Sequence, residues 1–409
     1  MVTDILKISK SKLVGQVKVS GAKNNALKLL TASCLTSEDV ELFNCPSGLL
    51  DMQVHIGMLD QMGKECVVDG SYIKIKENFL KPELKWDERS IRNSLLILGC
   101  LTARFGEGIV PLPGGCKLGD RKFDLHVMVL EKLGAKVWEE EGYLCTKVDG
   151  RLKGTEIFLP IRSTGATENA ILSSSIAVGQ TIIWNPHIRP EIVDLVAMLN
   201  KMGARIQIFG QKCIVVDGVE GLHGVKHSAI PDNMEAITWA IGATITGGDV
   251  EILDFPFEHL EVPLINLRES GMKFFRGENS LIVRGGTPFP VEISTGPYPG
   301  INSDMQPLFA IYGAMSKGES RIIDLRFPGR YAYAEELAKM GVHSSIEGDL
   351  LKIEGGNELK GATVKALDLR AGMALLLAGL VAEGETIIEN AWQIERGYEN
   401  FGTKLSSLI

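Results

Sequence analysis

The chain has 409 residues and a mass of 44.5 kDa, with 45% hydrophobic and 23% charged positions. That is globular composition, long enough for two to three domains of about 150 residues each. A formal charge of −8 and a pI of about 5.6 argue against a general nucleic-acid binder, which carries a basic face. Met1–Leu13 is mixed polar and lacks the basic–apolar–small order of a leader segment. No apolar run reaches the ~18 residues of a membrane span, so no membrane association is expected. Seven cysteines without a CxxC pair read as reduced thiols in a cytoplasmic setting. None of the seven histidines stands at ligand spacing from a cysteine, and no metal site is expected.

Along the chain, predicted elements recur with a fixed period. A helical segment ends in Leu-xxx-Gly five times, at Gly63, Gly134, Gly203, Gly271 and Gly341, with spacings of 71, 69, 68 and 70. Each glycine suits a helix C-cap, and strand-like residues follow, as in Lys212–Val216 and Leu351–Glu354. A second marker recurs six times: an apolar helix ends at a small turn residue and passes into a β-branched strand. The turns are Ser37, Gly106, Gly179, Gly248, Gly318 and Gly384. Two independent markers on one period predict an α/β chain of six ~70-residue repeats, the last of them stopping at Leu405–Ile409, where its capping glycine and last strand are expected.

Fourteen residues before each turn stand Lys23, Arg92, Gly165, Met234, Asp304 and Arg370, at the expected start of the first helix of each repeat. A cation there opposes the helix macrodipole. Three at one register indicate helix N-termini that converge on an anion. Loops at equivalent places carry Arg121, Arg189, Arg326, Arg330 and Arg396. An acidic chain that gathers cations at such loops is expected to bind a polyanionic small molecule. The longest of these loops includes Gly114, Gly115, Cys116, Lys117 and Arg121. Its glycines permit a tight turn, and the flanking cations tune the Cys116 thiol as an acid or nucleophile. The other six cysteines fall in helix or strand patterns and read as structural. Asp304 is the only carboxylate at the helix-start register, a proton acceptor if cations surround it. An aspartate there is equally an ordinary N-cap.

Eight segments together resemble the enolpyruvyl transferases: Ser20–Ala26, Pro113–Cys116, Arg121–His126, Gly165–Asn169, Pro190–Asp194, Tyr298–Gln306, Asp368–Arg370 and Arg396–Glu399. They span nearly the whole chain in order. The resemblance implies a two-lobed inside-out α/β barrel. Residues 1–20 with 230–409 would form one lobe, and 21–229, with the Cys loop 111–122, the other. It implies transfer of enolpyruvyl from phosphoenolpyruvate to the 3-hydroxyl of UDP-N-acetylglucosamine, with release of phosphate and no cofactor, at the start of peptidoglycan precursor synthesis. The alternative acceptor is another uridine nucleotide such as UMP. A shikimate-phosphate acceptor is disfavoured by the Cys loop, and an inactive sensor by the presence of Lys23, Asp304 and Arg396. A monomer is compatible with all of these.

By matched position, Lys23, Asn24, Arg121, Arg330, Arg370 and Arg396 would hold phosphoenolpyruvate. Arg92, Arg121, Asp124, Leu125, Ser163, Thr164, Gly165, Asp304 and Arg326 would meet the acceptor. Cys116, Asp304, Lys23 and Arg396 would carry the chemistry. The chain departs from the family pattern at Lys122, Phe123, Asn233, Leu95, Leu96, Arg326, Pro328 and Gly329, mostly on the acceptor side.

Overall fold

The computed structural model describes residues 4–89, 91–113 and 123–409. Cys116 and Arg121 lie outside the described residues. The chain is mixed α/β and divides into two compact units, Met1–Ser20 with Pro231–Ile409, and Gly21–Ile230.

Each unit is built around three buried helices. In the first, the helices Asn233–Ile245, Gln306–Ala314 and Leu369–Val381 pack on one another and bury almost every residue. Their sequences are apolar on all sides, which suits a helix enclosed by its own unit. Trp239, Phe309, Tyr312 and Leu375–Leu377 fill the centre. In the Gly21–Ile230 unit, Lys23–Ala32, Ser94–Phe105 and Thr164–Ser174 take that place, around Leu29, Leu95, Leu98 and Ile171.

Small open sheets surround these helices, and none closes into a barrel among the described residues. Four have four strands in one pattern: a central strand flanked by an antiparallel hairpin on one side and a parallel strand on the other. The central strands Val40–Phe43, Glu107–Pro111, Gln180–Trp184, Asp249–Leu253, Glu319–Ile323 and Glu385–Glu389 each follow one of the six predicted turns. The five predicted C-cap glycines all have positive φ, from 91° to 105°. A side chain would strain that conformation, and the turn sends the chain from helix into hairpin.

The last sheet differs. No hairpin follows Glu385–Glu389; the chain forms the short helices Trp392–Glu395 and Phe401–Ser406 instead. The antiparallel side of that strand is covered by Ile5–Ser9 from the other end of the chain. The next strand, Val14–Lys18, runs parallel to Asp249–Leu253.

Candidate active site

Of the helix-start residues, Asp304 and Arg370 come within ion-pair distance of each other. In the first unit Asp304 stands in a 3-10 turn Ser303–Met305 just before the helix Gln306–Ala314. Arg330 Nη1 donates to Asp304 Oδ1 at 2.9 Å, and its Nη2 donates to Asp368 Oδ2 at 3.3 Å. Arg370 Nε lies 3.6 Å from Asp304 Oδ2. Burial works against the charge on Arg330, but Asp304 and Asp368 outweigh it and raise its pKa further. Arg370 is likewise raised: burial opposes the charge, and Tyr398, Asp304 and Asp232 favour it.

Arg370 is buried, its guanidinium 5.6 Å from the centre of the Tyr398 ring, and its Nη1 has no hydrogen-bond partner among the described residues. A buried donor left open is costly unless a ligand takes it. Asp368, the N-cap of Leu369–Val381, accepts the N–H groups of Arg370 and Ala371, each at 2.8 Å. Arg396 is also buried and donates to Gln393 Oε1 at 3.0 Å. Arg326 is exposed, 5.2 Å from the centre of the Phe327 ring, which Arg330 also approaches.

The loop that carries both arginines hangs from Asp324. This buried carboxylate accepts the hydroxyls of Thr295 and Ser303, at 2.8 and 2.5 Å, and the N–H groups of Arg326 and Phe327.

In the Gly21–Ile230 unit, Lys23 opens its helix but does not face the macrodipole unaided. Its Nζ donates to Asp51 Oδ2 at 2.9 Å, and both residues are buried. Asn24 is exposed, whereas Asn25 is buried and accepts the Ile230 N–H. Arg92 sits two residues ahead of the helix Ser94–Phe105, not inside its first turn as the spacing predicts, and is half-buried. Ser163 caps Thr164–Ser174 by accepting the Ala166 N–H at 3.4 Å, and Thr164 Oγ1 meets His187 Nδ1 at 2.8 Å.

Gly165 is required by a close approach: a Cβ there would stand 2.9 Å from His126 Nε2. His126 follows Asp124 and Leu125 in the helix Asp124–Lys132. Burial holds its pKa at about 3, with Arg92 and Lys28 adding to the effect, so the ring is neutral. Of the other cysteines, five are buried and Cys66 is partly so. Burial pushes the Cys34 thiol up to about 11.

The expected cations oppose their helices less than spacing alone implies, because Lys23 and Arg370 both have acidic neighbours. Sequence reasoning missed Asp51, Asp324 and Lys28, and it reached Asp368 and Glu168 only as parts of motifs. An aspartate just ahead of an apolar helical run is an N-cap signal that marks Asp368. Asp324 carries no comparable signal.

Clustered guanidinium groups paired with carboxylates near helix starts are an arrangement that suits anionic substrates, and the fold is that of the carboxyvinyl-transferring enzymes. The chain belongs to the EPSP synthase (3-phosphoshikimate 1-carboxyvinyltransferase) family of enolpyruvyl transferases, whose profile matches residues 8–405. Among its relatives, the UDP-N-acetylglucosamine 1-carboxyvinyltransferase of Aeromonas hydrophila is 40% identical over 402 residues, covering 97% of this chain and 95% of that one. UDP-N-acetylglucosamine 1-carboxyvinyltransferase 1 of Carboxydothermus hydrogenoformans is 42% identical, covering 96% and 93%. The crystal structure of the enolpyruvyl transferase NikO from Streptomyces tendae matches with a TM-score of 0.90 at 25% identity, covering 99% of this chain and 97% of NikO. An EPSP synthase from Acinetobacter baumannii shares the fold, with a TM-score of 0.74 at 17% identity and coverage of 99% and 98%. No helix among the described residues is long and apolar enough to cross a membrane.

Proposed function

We propose that this chain transfers the enolpyruvyl group of phosphoenolpyruvate to the 3-hydroxyl of UDP-N-acetylglucosamine, releasing phosphate. This is the first committed step of peptidoglycan precursor synthesis, a cytoplasmic reaction. The observation that carries the reading is Asp304 held between Arg330 and Arg370 at the start of two buried helices. The acceptor is supported by the relatives named above.

In this reading Asp304 takes the proton of the acceptor hydroxyl as its oxygen bonds to C2 of phosphoenolpyruvate, while C3 gains a proton. The tetrahedral ketal then loses phosphate and a C3 proton to give the enol ether. Cys116 serves as the acid of its loop. Lys23, Asn24, Arg121, Arg330, Arg370 and Arg396 offset the phosphate and carboxylate charges, a role for preorganised cations that needs no cofactor. Arg92, Arg121, Asp124, Leu125, Ser163, Thr164, Gly165 and Arg326 bind the nucleotide sugar. The strand order shared by four of the sheets supports a six-repeat, inside-out barrel ancestry for the two units.

A second acceptor, another uridine nucleotide such as UMP, is favoured by the exposed guanidinium of Arg326. Phosphate release from phosphoenolpyruvate across UDP-N-acetylglucosamine, other UDP-sugars and UMP decides between them. High efficiency with UDP-N-acetylglucosamine and none with UMP upholds the first reading, and the reverse result overturns it.

A further inference from the structure

The Gly21–Ile230 unit holds a charged pair that the proposed chemistry does not use. Glu168, in the second turn of Thr164–Ser174, is 2% exposed, and its Oε1 has no hydrogen-bond partner among the described residues. Its Oε2 lies 3.6 Å from Lys28 Nζ, in the second turn of Lys23–Ala32. Lys28 in turn donates to Asn93 Oδ1 at 2.9 Å. Asn93 Nδ2 donates to the Leu27 carbonyl at 3.1 Å. Asn93 is the N-cap of Ser94–Phe105 and directly follows Arg92. Two contacts from one turn of the first helix therefore fix the start of the second.

Burying a carboxyl beside an ammonium is often no better for stability than an apolar pair of similar volume. Stability alone does not explain why the pair is there. Among the described residues, the other titratable and charged groups around it are His55 on Leu50–Met62, Arg92, His126 on Asp124–Lys132, and Arg189 and Glu191 at the start of Pro190–Lys201. Burial holds both histidines at about 3, so they stay neutral near pH 7. Burial pushes Glu168 up to about 7, against the pull of Lys28 and Arg189.

We propose that Lys28 is a positioning residue: anchored by Glu168, its ammonium fixes Asn93 and so aims Arg92 at the acceptor. The assignment of Arg92 to the acceptor rests on the function proposed above; the anchoring of the helix start does not. With Glu168 ionised, the ammonium is pinned between carboxylate and amide. With Glu168 protonated, the amide alone holds it. Acceptor binding should therefore tighten as pH rises through about 7.

The test uses the full chain and the variants Lys28→Met and Glu168→Gln. Calorimetric binding of UDP-N-acetylglucosamine is measured from pH 5.5 to 8.5, with hydrogen exchange of the peptide covering residues 91–98 in the free enzyme. Lys28→Met should weaken acceptor binding roughly tenfold or more at pH 8, the loss of about one charge-assisted bond. It should also speed exchange at the first turn of Ser94–Phe105. Glu168→Gln should bind with an affinity that no longer changes across pH 7. Unchanged exchange in Lys28→Met overturns the anchoring even if no acceptor binds. A pH step that persists in Glu168→Gln overturns the role of Glu168. Faster exchange in Lys28→Met, with no binding of UDP-N-acetylglucosamine by the wild type, upholds the anchoring and removes the acceptor assigned above.

Discussion

Asp304 touches two guanidiniums, yet its side chain keeps 29% of its surface exposed, enough to meet a substrate. As the general base proposed above it would contribute its proton affinity in the transition state. Asp304→Asn should lower kcat by roughly 10²–10⁴-fold, the usual size of such an effect, in a phosphate-release assay. The same variant loses two ion pairs, so its melting temperature is the control for misfolding. Cys116 is assigned by its loop and by resemblance. An epoxide phosphonate that mimics phosphoenolpyruvate should add to it once per chain, read by intact mass and peptide mapping. Cys116→Asp should retain turnover that Cys116→Ala loses; equal loss in both removes the acid role. In the proposed reading Arg326 is the residue that would separate the two acceptors. With UDP-N-acetylglucosamine as the true acceptor, Arg326→Val should leave its KM nearly unchanged. A loss of about tenfold or more, the worth of one charge-assisted bond, would point to a phosphate beneath that guanidinium. Lys23 and Arg370 were visible in the sequence as cations at a repeated register. Their partners were not, because Asp51 lies 28 residues from Lys23 and Asp304 lies 66 from Arg370, on other helices.

At the level of elements, the repeated C-cap glycines make a graded test of backbone strain. Gly134 has φ of 98° and open space where a methyl group would stand, whereas at Gly63 a Cβ would stand 1.9 Å from the Phe79 carbonyl oxygen. Gly134→Ala should therefore cost only the left-handed strain, on the order of 1 kcal/mol. Gly63→Ala should cost more, because the backbone of Phe79 cannot step aside as a flexible side chain can. Denaturant unfolding of the two variants gives the comparison, and equal losses would mean that the loop at Phe79 yields. These glycines were legible because helix termination is local chemistry, read within five residues of chain. The pairing of Ile5–Ser9 with Glu385–Glu389 was not derivable from any pattern. Both strands alternate in ordinary fashion, and nothing local says which distant strand takes an open edge.

For the whole molecule, the buried ionisable groups set a pH profile of stability. His55 and His126 are lowered from 6.5 to about 3 by burial, so the unfolded chain binds protons that the folded one refuses. Their contribution is complete above pH 6.5 and is lost as pH falls towards 3, each on the order of a few kcal/mol. Glu168 acts in the opposite sense: raised from 4.5 to about 7, it stabilises most below pH 4.5 and loses that contribution as pH rises through 7. Two histidines outweigh one glutamate in acid. The melting temperature should fall steeply below pH 6 and more gently for His126→Asn. It should rise for Glu168→Gln at pH 8, while changing little at pH 4.5. Calorimetry across that range is the measurement, and a profile in Glu168→Gln parallel to the wild type would show that this carboxyl does not titrate near 7.

What the sequence determined by itself was what short-range order carries: the helix stops, the strands that follow each turn, and the motifs that identify an enolpyruvyl transferase. Backbone conformation at a glycine or an N-cap depends on a handful of neighbouring residues, so a single chain reports it directly. Only the tertiary structure decided which charges meet. Arg330 joins Asp304 to Asp368, Lys28 joins Glu168 to Asn93, and Asp324 ties the hydroxyls of Thr295 and Ser303 together, all across separations of primary sequence that no local rule spans. Electrostatic energy depends on distances of a few ångströms and on the loss of water around each group. Both are set when the three helices of a unit come together.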